Sequence, residues 1–207
     1  MKFSKADLDD LLMLMRWRRD VRHFRDDPVS DENLSVLAQA MALAPSVGNA
    51  RPWRVVRVKD PSLRARARAI FEEANAAAAR GYDGARRAAY MDLKLAGMDR
   101  APVQLAVFTH ADPAEGHGLG RRTMPQTLTQ STAMAVHGMW LAARAMNLGM
   151  GMVSILDPAA IERLLDAPPD WRFFAWLCIG HPAFDDDAPL LHRADWQRNA
   201  EPDWDVR

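Results

Sequence analysis

Residues 171–180 read Trp-Arg-Phe-Phe-Ala-Trp-Leu-Cys-Ile-Gly, and apart from Arg172 they offer almost nothing suited to water. A run this apolar and this short, following the breaker Pro168-Pro169, is a buried strand, which needs other elements to cover it. Two further strands are expected at 54–58 and, opened by Pro102, at 103–108. Helical spacing supplies the rest. Leu8, Leu11, Leu12 and Met15 form the single buried stripe of a first helix, started by the capping-box-like Ser4 and Asp7. Ser30 caps a second helix with Leu34, Leu37, Ala38 and Met41 on its apolar face. An alanine- and arginine-rich peripheral helix is expected over 62–80, and another helical stretch over 85–98, where Lys94 reads as a surface residue. The longest helix, 126–147, carries Met134, Val136, Met139, Trp140 and Leu141 and should be central and largely buried; a short helix over 158–165 follows.

A formal net charge of zero gives no global attraction for nucleic acid or an anionic membrane surface. With 207 residues, 49% of them hydrophobic, the chain can bury a substantial core. Its single cysteine, Cys178, excludes an intrachain disulfide framework and fits a reducing cytoplasm; within Trp-Leu-Cys-Ile it reads as a buried small hydrophobe. Arg144 and Asn147 interrupt the most apolar helical region, so no membrane span is expected. The proline- and aspartate-rich tail, 181–207, holds Trp196 and Trp204 and should dock on something, a second subunit being one candidate.

The chemistry-bearing stretch is Arg16-Trp17-Arg18-Arg19-Asp20-Val21-Arg22, at the end of the first helix. Guanidinium forks match phosphate or carboxylate bidentately, so four arginines in seven residues suit a dianion. One aspartate among them is expected to stay ionised below its ordinary pKa. Such a cluster on its own is more often a solvated, charged helix end. The loop Pro45-Ser46-Val47-Gly48-Asn49-Ala50-Arg51-Pro52-Trp53 puts short polar groups beside exposed amides, and fits a ligand loop or a plain connection equally well. His117-Gly118-Leu119-Gly120-Arg121-Arg122-Thr123 reads as a mobile basic lid or as a solvated loop. In Gly149-Met150-Gly151-Met152-Val153-Ser154 the glycines would let backbone approach a flat ligand, with one hydroxyl beside it. No histidine, cysteine or carboxylate spacing suits a metal, and neither a nucleophile elbow nor a Walker loop is present.

Taken in order, the Arg18-to-Arg22 run, the Pro45-to-Trp53 loop and the glycine-rich turn ending at Ser154 resemble the flavin-dependent nitroreductase family. Asp20 within the arginine run, Gly118-Leu119-Gly120-Arg121-Arg122-Thr123-Met124-Pro125, and Trp140-Leu141-Ala142-Ala143-Arg144 before Val153-Ser154-Ile155-Leu156-Asp157-Pro158 are similar to its flavin-fragmenting branch. That resemblance implies one FMN-binding domain over 1–207 with an α+β fold: a central mixed sheet flanked by helices, in an intertwined homodimer with FMN at the subunit interface. It further implies that reduced FMN is the substrate and dioxygen the co-substrate, with no metal. The products would be 5,6-dimethylbenzimidazole, the cobalamin lower ligand, and erythrose 4-phosphate, and a separate flavin reductase would supply FMNH2. Asp20 and Ser154 would be catalytic. Arg18, Arg19, Asp20, Arg22, Ser46, Asn49, Ser154 and, near the C-terminus, Arg198 would contact the flavin. Arg51 stands where many relatives carry glutamine, and the segment 198–202 is less apolar than the usual family ending. A conventional NAD(P)H-dependent FMN reductase of nitro compounds, quinones or enones is the alternative, and a flavin-storage protein the third.

Overall fold

The computed structural model describes every residue of the chain except Lys94, so the surface placement expected for that residue lies outside the described residues. Four strands form one sheet in the order β1 (Trp53–Arg57), β2 (Val103–His110), β4 (Trp171–Gly180), β3 (Gly149–Val153). All three pairings within it are antiparallel, so the sheet expected as mixed owes its parallel character to an isolated bridge between Asp20 and Met150. The helices are α1 (Lys5–Trp17), α2 (Asp31–Ala42), α3 (Pro61–Ala79), α4 (Gly84–Met91), α5 (Thr127–Ala145), α6 (Pro158–Leu164) and α7 (Leu190–Arg193). The helical stretch expected over 85–98 therefore stops at Met91.

Alternation along the two central strands decides the layering. Leu105, Val107, Ala175, Leu177 and Ile179 face one cluster with Leu37, Met41, Val136 and Met139 of α2 and α5. Ala106, Phe108, Trp176 and Cys178 face the other, with Ala67 of α3 and Ile161 of α6. From 175 to 180 the apolar run is buried because helices cover both faces of its sheet, while Arg172 is exposed and Trp171, Phe173 and Phe174 are only partly covered. Among the described residues, Gln104 is one of four buried polar side chains, with Thr109, Ser131 and Thr132. Its amide nitrogen donates to the Met98 carbonyl at 2.9 Å, and its oxygen accepts the Trp176 indole N–H at 3.0 Å.

Two amphipathic elements behave differently from their sequence reading. The capping box at Ser4 and Asp7 forms, but α1 has no buried residue: Leu8, Leu11, Leu12 and Met15 all stay exposed in the isolated chain. The stripe expected to be buried has no cover within this chain. In the tail, Trp196 docks on its own subunit, edge-on to Tyr82 at 5.4 Å and beneath the Arg86 guanidinium at 4.8 Å, whereas Trp204 stays exposed.

Replacing Gln104 with leucine would strand the Trp176 donor and the Met98 acceptor in the core. Buried unsatisfied groups cost about 1–3 kcal/mol each, so urea unfolding of Gln104→Leu should show a loss of about 2 kcal/mol or more.

Candidate functional site

The chain that leaves α1 lies along the free edge of β3. Asp20 bridges Met150, the Val21 N–H donates to the Met150 carbonyl at 3.1 Å, and the Arg25 N–H donates to the His181 carbonyl at 2.9 Å. Glycines make this approach possible. A Cβ on Gly151 would collide with the Val21 carbonyl oxygen, and one on Gly149 would come within 2.8 Å of the Val21 side chain. The two glycines expected to admit a flat ligand admit the chain's own residues 20 and 21 instead.

Docking separates the four arginines. Arg16 leaves the cluster to pair with Asp187 at 2.9 Å. Arg19 turns back onto the carbonyls of Met15 and Arg16, the unsatisfied end of α1. Arg22 turns inward, donating to Asp20 and to the Met152 carbonyl, the latter at 2.9 Å. Arg18, half-buried, lies over the Trp140 ring at 4.9 Å, and its guanidinium has no carboxylate or hydrogen-bond partner among the described residues. Burial and the nearby Arg19 charge make its own charge less favourable, a cost that an arriving anion would relieve. The tail completes the surround. Asp185 pairs with Arg144 at 2.6 Å, and Asp186 with Arg193. Sequence reading missed Trp140, Arg144 and these aspartates as parts of the site. The complementary signs of the 16–22 and 185–187 runs were the available signal.

Asp20 is the centre of the arrangement. Its Oδ1 accepts the Met152 N–H at 2.9 Å and its Oδ2 accepts from Arg22, while about two-fifths (41%) of the side chain stays open to solvent. Protein packed around it raises its pKa above the ordinary aspartate value; Arg22, the Met152 amide and Arg18 pull the other way without winning. The expectation of a lowered pKa is thus reversed, because Arg16 and Arg19 spend their charge elsewhere. Folding raises this pKa, so the stability linked to it is present below the unfolded value and is lost as the pH rises through the folded one. A carboxyl so tuned can hold or release a proton nearer to neutrality than a free aspartate can.

The recess beside Asp20, lined also by Trp17, Arg18, Trp140 and Phe184, encloses only about 70 Å³, against several hundred for ordinary cofactor pockets. Residues 15–181 match the profile of the Nitroreductase family. The chain belongs to that family. It is 62% identical over 207 residues, the full length of both chains, to a protein of Rhodobacter capsulatus named 5,6-dimethylbenzimidazole synthase. A Rhodospirillum rubrum protein of the same name is 48% identical over 94% of this chain and 92% of its own. Among solved structures, iodotyrosine deiodinase bound to FMN and 3-iodo-L-tyrosine superimposes with a TM-score of 0.73 at 22% identity, covering 95% of this chain and 97% of the other, which shows the shared fold.

The remaining nitroreductase-type positions lie outside this recess. Ser154, exposed, follows β3 two residues beyond the amide that holds Asp20. Ser46 accepts the Arg51 N–H at 3.0 Å, and the next residue, Val47, donates its N–H to Ser131 of α5 at 3.1 Å. Both contacts shape the loop, and they leave Asn49 exposed at a φ of 57°. The basic segment expected as a lid rests on that same loop: a Cβ on Gly116 would come 2.7 Å from the Gly48 carbonyl oxygen, and Arg121 pairs with Asp112 at 3.0 Å. Arg198, 84% exposed in the tail, stands 3.7 Å from Asp195 and does not line the recess. Among the described residues no three His, Cys, Asp or Glu side chains converge to hold a metal, and no helix is long and apolar enough to cross a membrane.

Gly151→Ala should push residues 20 and 21 off β3. A loss of about 1–3 kcal/mol in thermal or denaturant unfolding is expected for such overpacking, and weakened flavin binding should accompany it.

Proposed function

We propose that this nitroreductase-family enzyme is a 5,6-dimethylbenzimidazole synthase, which consumes reduced FMN and dioxygen. The full-length likeness to two synthases carries this reading. The site supports it. A carboxyl with a raised pKa is held rigidly beside an arginine whose donors are unpaired among the described residues.

The isoalloxazine, when bound, supplies the electrons and the bonds that break. The chain's own residues position and protonate. Arg18, steadied on Trp140, would grip the phosphate, so that binding energy remote from the ring orients it. Asp20 would move a proton to or from the ribityl chain or a ring nitrogen, and Ser154 would hydrogen-bond the ring edge. Ser46 and Asn49 would contribute contacts from their loop, and the segment 118–122 would exclude water. Arg19, on the α1 carbonyls, and Arg198, in the tail, would lie at the margin of the flavin site.

A homodimer completes the pocket. The uncovered apolar stripe of α1 and an open groove between α2 and α5, lined by Leu43, Pro45, Met134 and His137, are the surfaces a second subunit would cover. A separate flavin reductase of the cytoplasm would supply the reduced substrate.

The deciding experiment is single-turnover oxidation of FMNH2 by air with chromatography of the products. Dimethylbenzimidazole should appear as flavin disappears; full recovery of oxidised FMN, with NAD(P)H-driven turnover of a nitro compound or quinone, would move the assignment to a conventional reductase. In the same assay Asp20→Asn should keep flavin binding and lose product. Arg18→Ala should weaken FMN binding by about tenfold or more, roughly the 1.4 kcal/mol or more of a charge-assisted contact, while leaving riboflavin affinity nearly unchanged. Leu11→Asp combined with Leu12→Asp should give monomers by size-exclusion chromatography, with flavin binding lost.

A further inference from the structure

We infer that Trp140 is a positioning residue for the anion-binding end of the recess: it orders Arg18 before the ligand arrives, and so strengthens the preference for a phosphorylated flavin over one without the phosphate. The inference rests on the phosphate-binding role proposed for Arg18, and it gives Trp140 a task beyond packing against the core.

Trp140 stands on α5, whose Val136, Met139 and Ala143 are fixed in the core, and it holds the exit of α1 at two points. The face of its ring carries the Arg18 guanidinium, whose central carbon lies 4.9 Å from the ring centroid. Its indole N–H donates to the Arg19 carbonyl at 3.2 Å. That carbonyl immediately precedes Asp20, which is itself held by the Met152 N–H at 2.9 Å. The Arg18 backbone N–H donates to the Leu14 carbonyl at 2.9 Å, so this arginine is secured at its main chain and at its tip, with the flexible stem between. A single side chain with two torsions thus steadies both the guanidinium and the backbone that leads into Asp20.

An aromatic ring suits this task better than a carboxylate does. Asp185, Asp186 and Asp187 hold Arg144, Arg193 and Arg16 in place, but they also neutralise them, and an anion arriving there would have to displace them. The indole attracts the cation through its quadrupole and leaves the charge uncancelled. Arg18 is therefore oriented and still available. An arginine free in water loses rotamer freedom when it grips an anion, and that ordering weakens binding. With the ring beneath it, Arg18 meets the phosphate already ordered. The gain reaches only a ligand that Arg18 grips, so a flavin without phosphate does not register it.

The test measures binding of oxidised FMN and of riboflavin to the whole protein and reads the ratio of the two affinities. Trp140→Leu should reduce the preference for FMN about threefold to tenfold, the effect of having to order one long side chain on binding. Trp140→Phe, which restores an aromatic face, should recover most of it. In an Arg18→Ala background Trp140→Leu should leave the ratio unchanged, because no cation remains to be ordered. The same fall with and without Arg18, or equal losses in the leucine and phenylalanine variants, overturns the inference. Should the leucine variant fail to fold, NMR of the flavin-free parent decides. The Arg18 Nε–Hε resonance, assigned by its loss in Arg18→Ala, should lie upfield through the indole ring current and relax as slowly-moving backbone does; an ordinary position with free side-chain mobility overturns the inference. A preference lost in Arg18→Ala but kept in Trp140→Leu defeats the inference alone. A preference kept in Arg18→Ala defeats the phosphate-binding role proposed for Arg18, and the inference with it.

Discussion

The contact on which the site depends is the docking of residues 20 and 21 against the edge of β3. An edge strand presents backbone donors and acceptors that its sheet does not use, ordinarily a liability. Here the N–H and the carbonyl of Met152 become a mount, one for the Asp20 carboxylate and the other for the Arg22 guanidinium. Gly149 and Gly151 are the steric condition for it, because any side chain there would hold the segment away. A carboxyl mounted on a sheet has less freedom than one carried on a loop, and proton transfer at a defined atom benefits from that rigidity.

Electrostatics follows from the same docking. Arg16 still belongs to α1, Arg18 and Arg19 sit where that helix ends, and Arg22 lies in the docked segment beyond, so four arginines close in sequence do not share one field. One pairs with the tail, one caps α1, one locks Asp20 and one waits on an indole ring. The aspartates at 185–187 neutralise Arg144, Arg193 and Arg16 around the rim. The recess therefore keeps positive character at Arg18, Arg19 and Arg22, each of which retains guanidinium donors without a partner among the described residues. Burial of Asp20 outweighs the help it receives, which is why its pKa rises in a site crowded with cations.

The surfaces left over carry their own meaning. α1 shows helical amphipathicity with a sound capping box, yet its apolar stripe finds no cover in the chain. The Ser46–Asn49 loop and the segment 115–122 pack on each other and do not line the arginine recess.

Much of this protein is legible in its sequence. The strand at 171–180, the alternation that sends Leu177 and Trp176 to opposite faces, the caps at Ser4 and Ser30, and the long helix through Trp140 follow from periodicity and local hydrogen bonding, which each segment largely carries within itself. The run containing Asp20 and the turn ending at Ser154 mark the site, because their residue types are unusual for a plain surface. Only the tertiary structure decides where each residue goes: that Arg22 pairs with Asp20, that the two glycines seat the chain itself, that Trp196 docks at home, and that α1 stays bare. These outcomes join groups far apart in the chain, 130 residues in the case of Arg22 and Met152, and depend on burial and on which partner claims a charge first. No local pattern encodes such a competition; it is settled when the chain closes on itself.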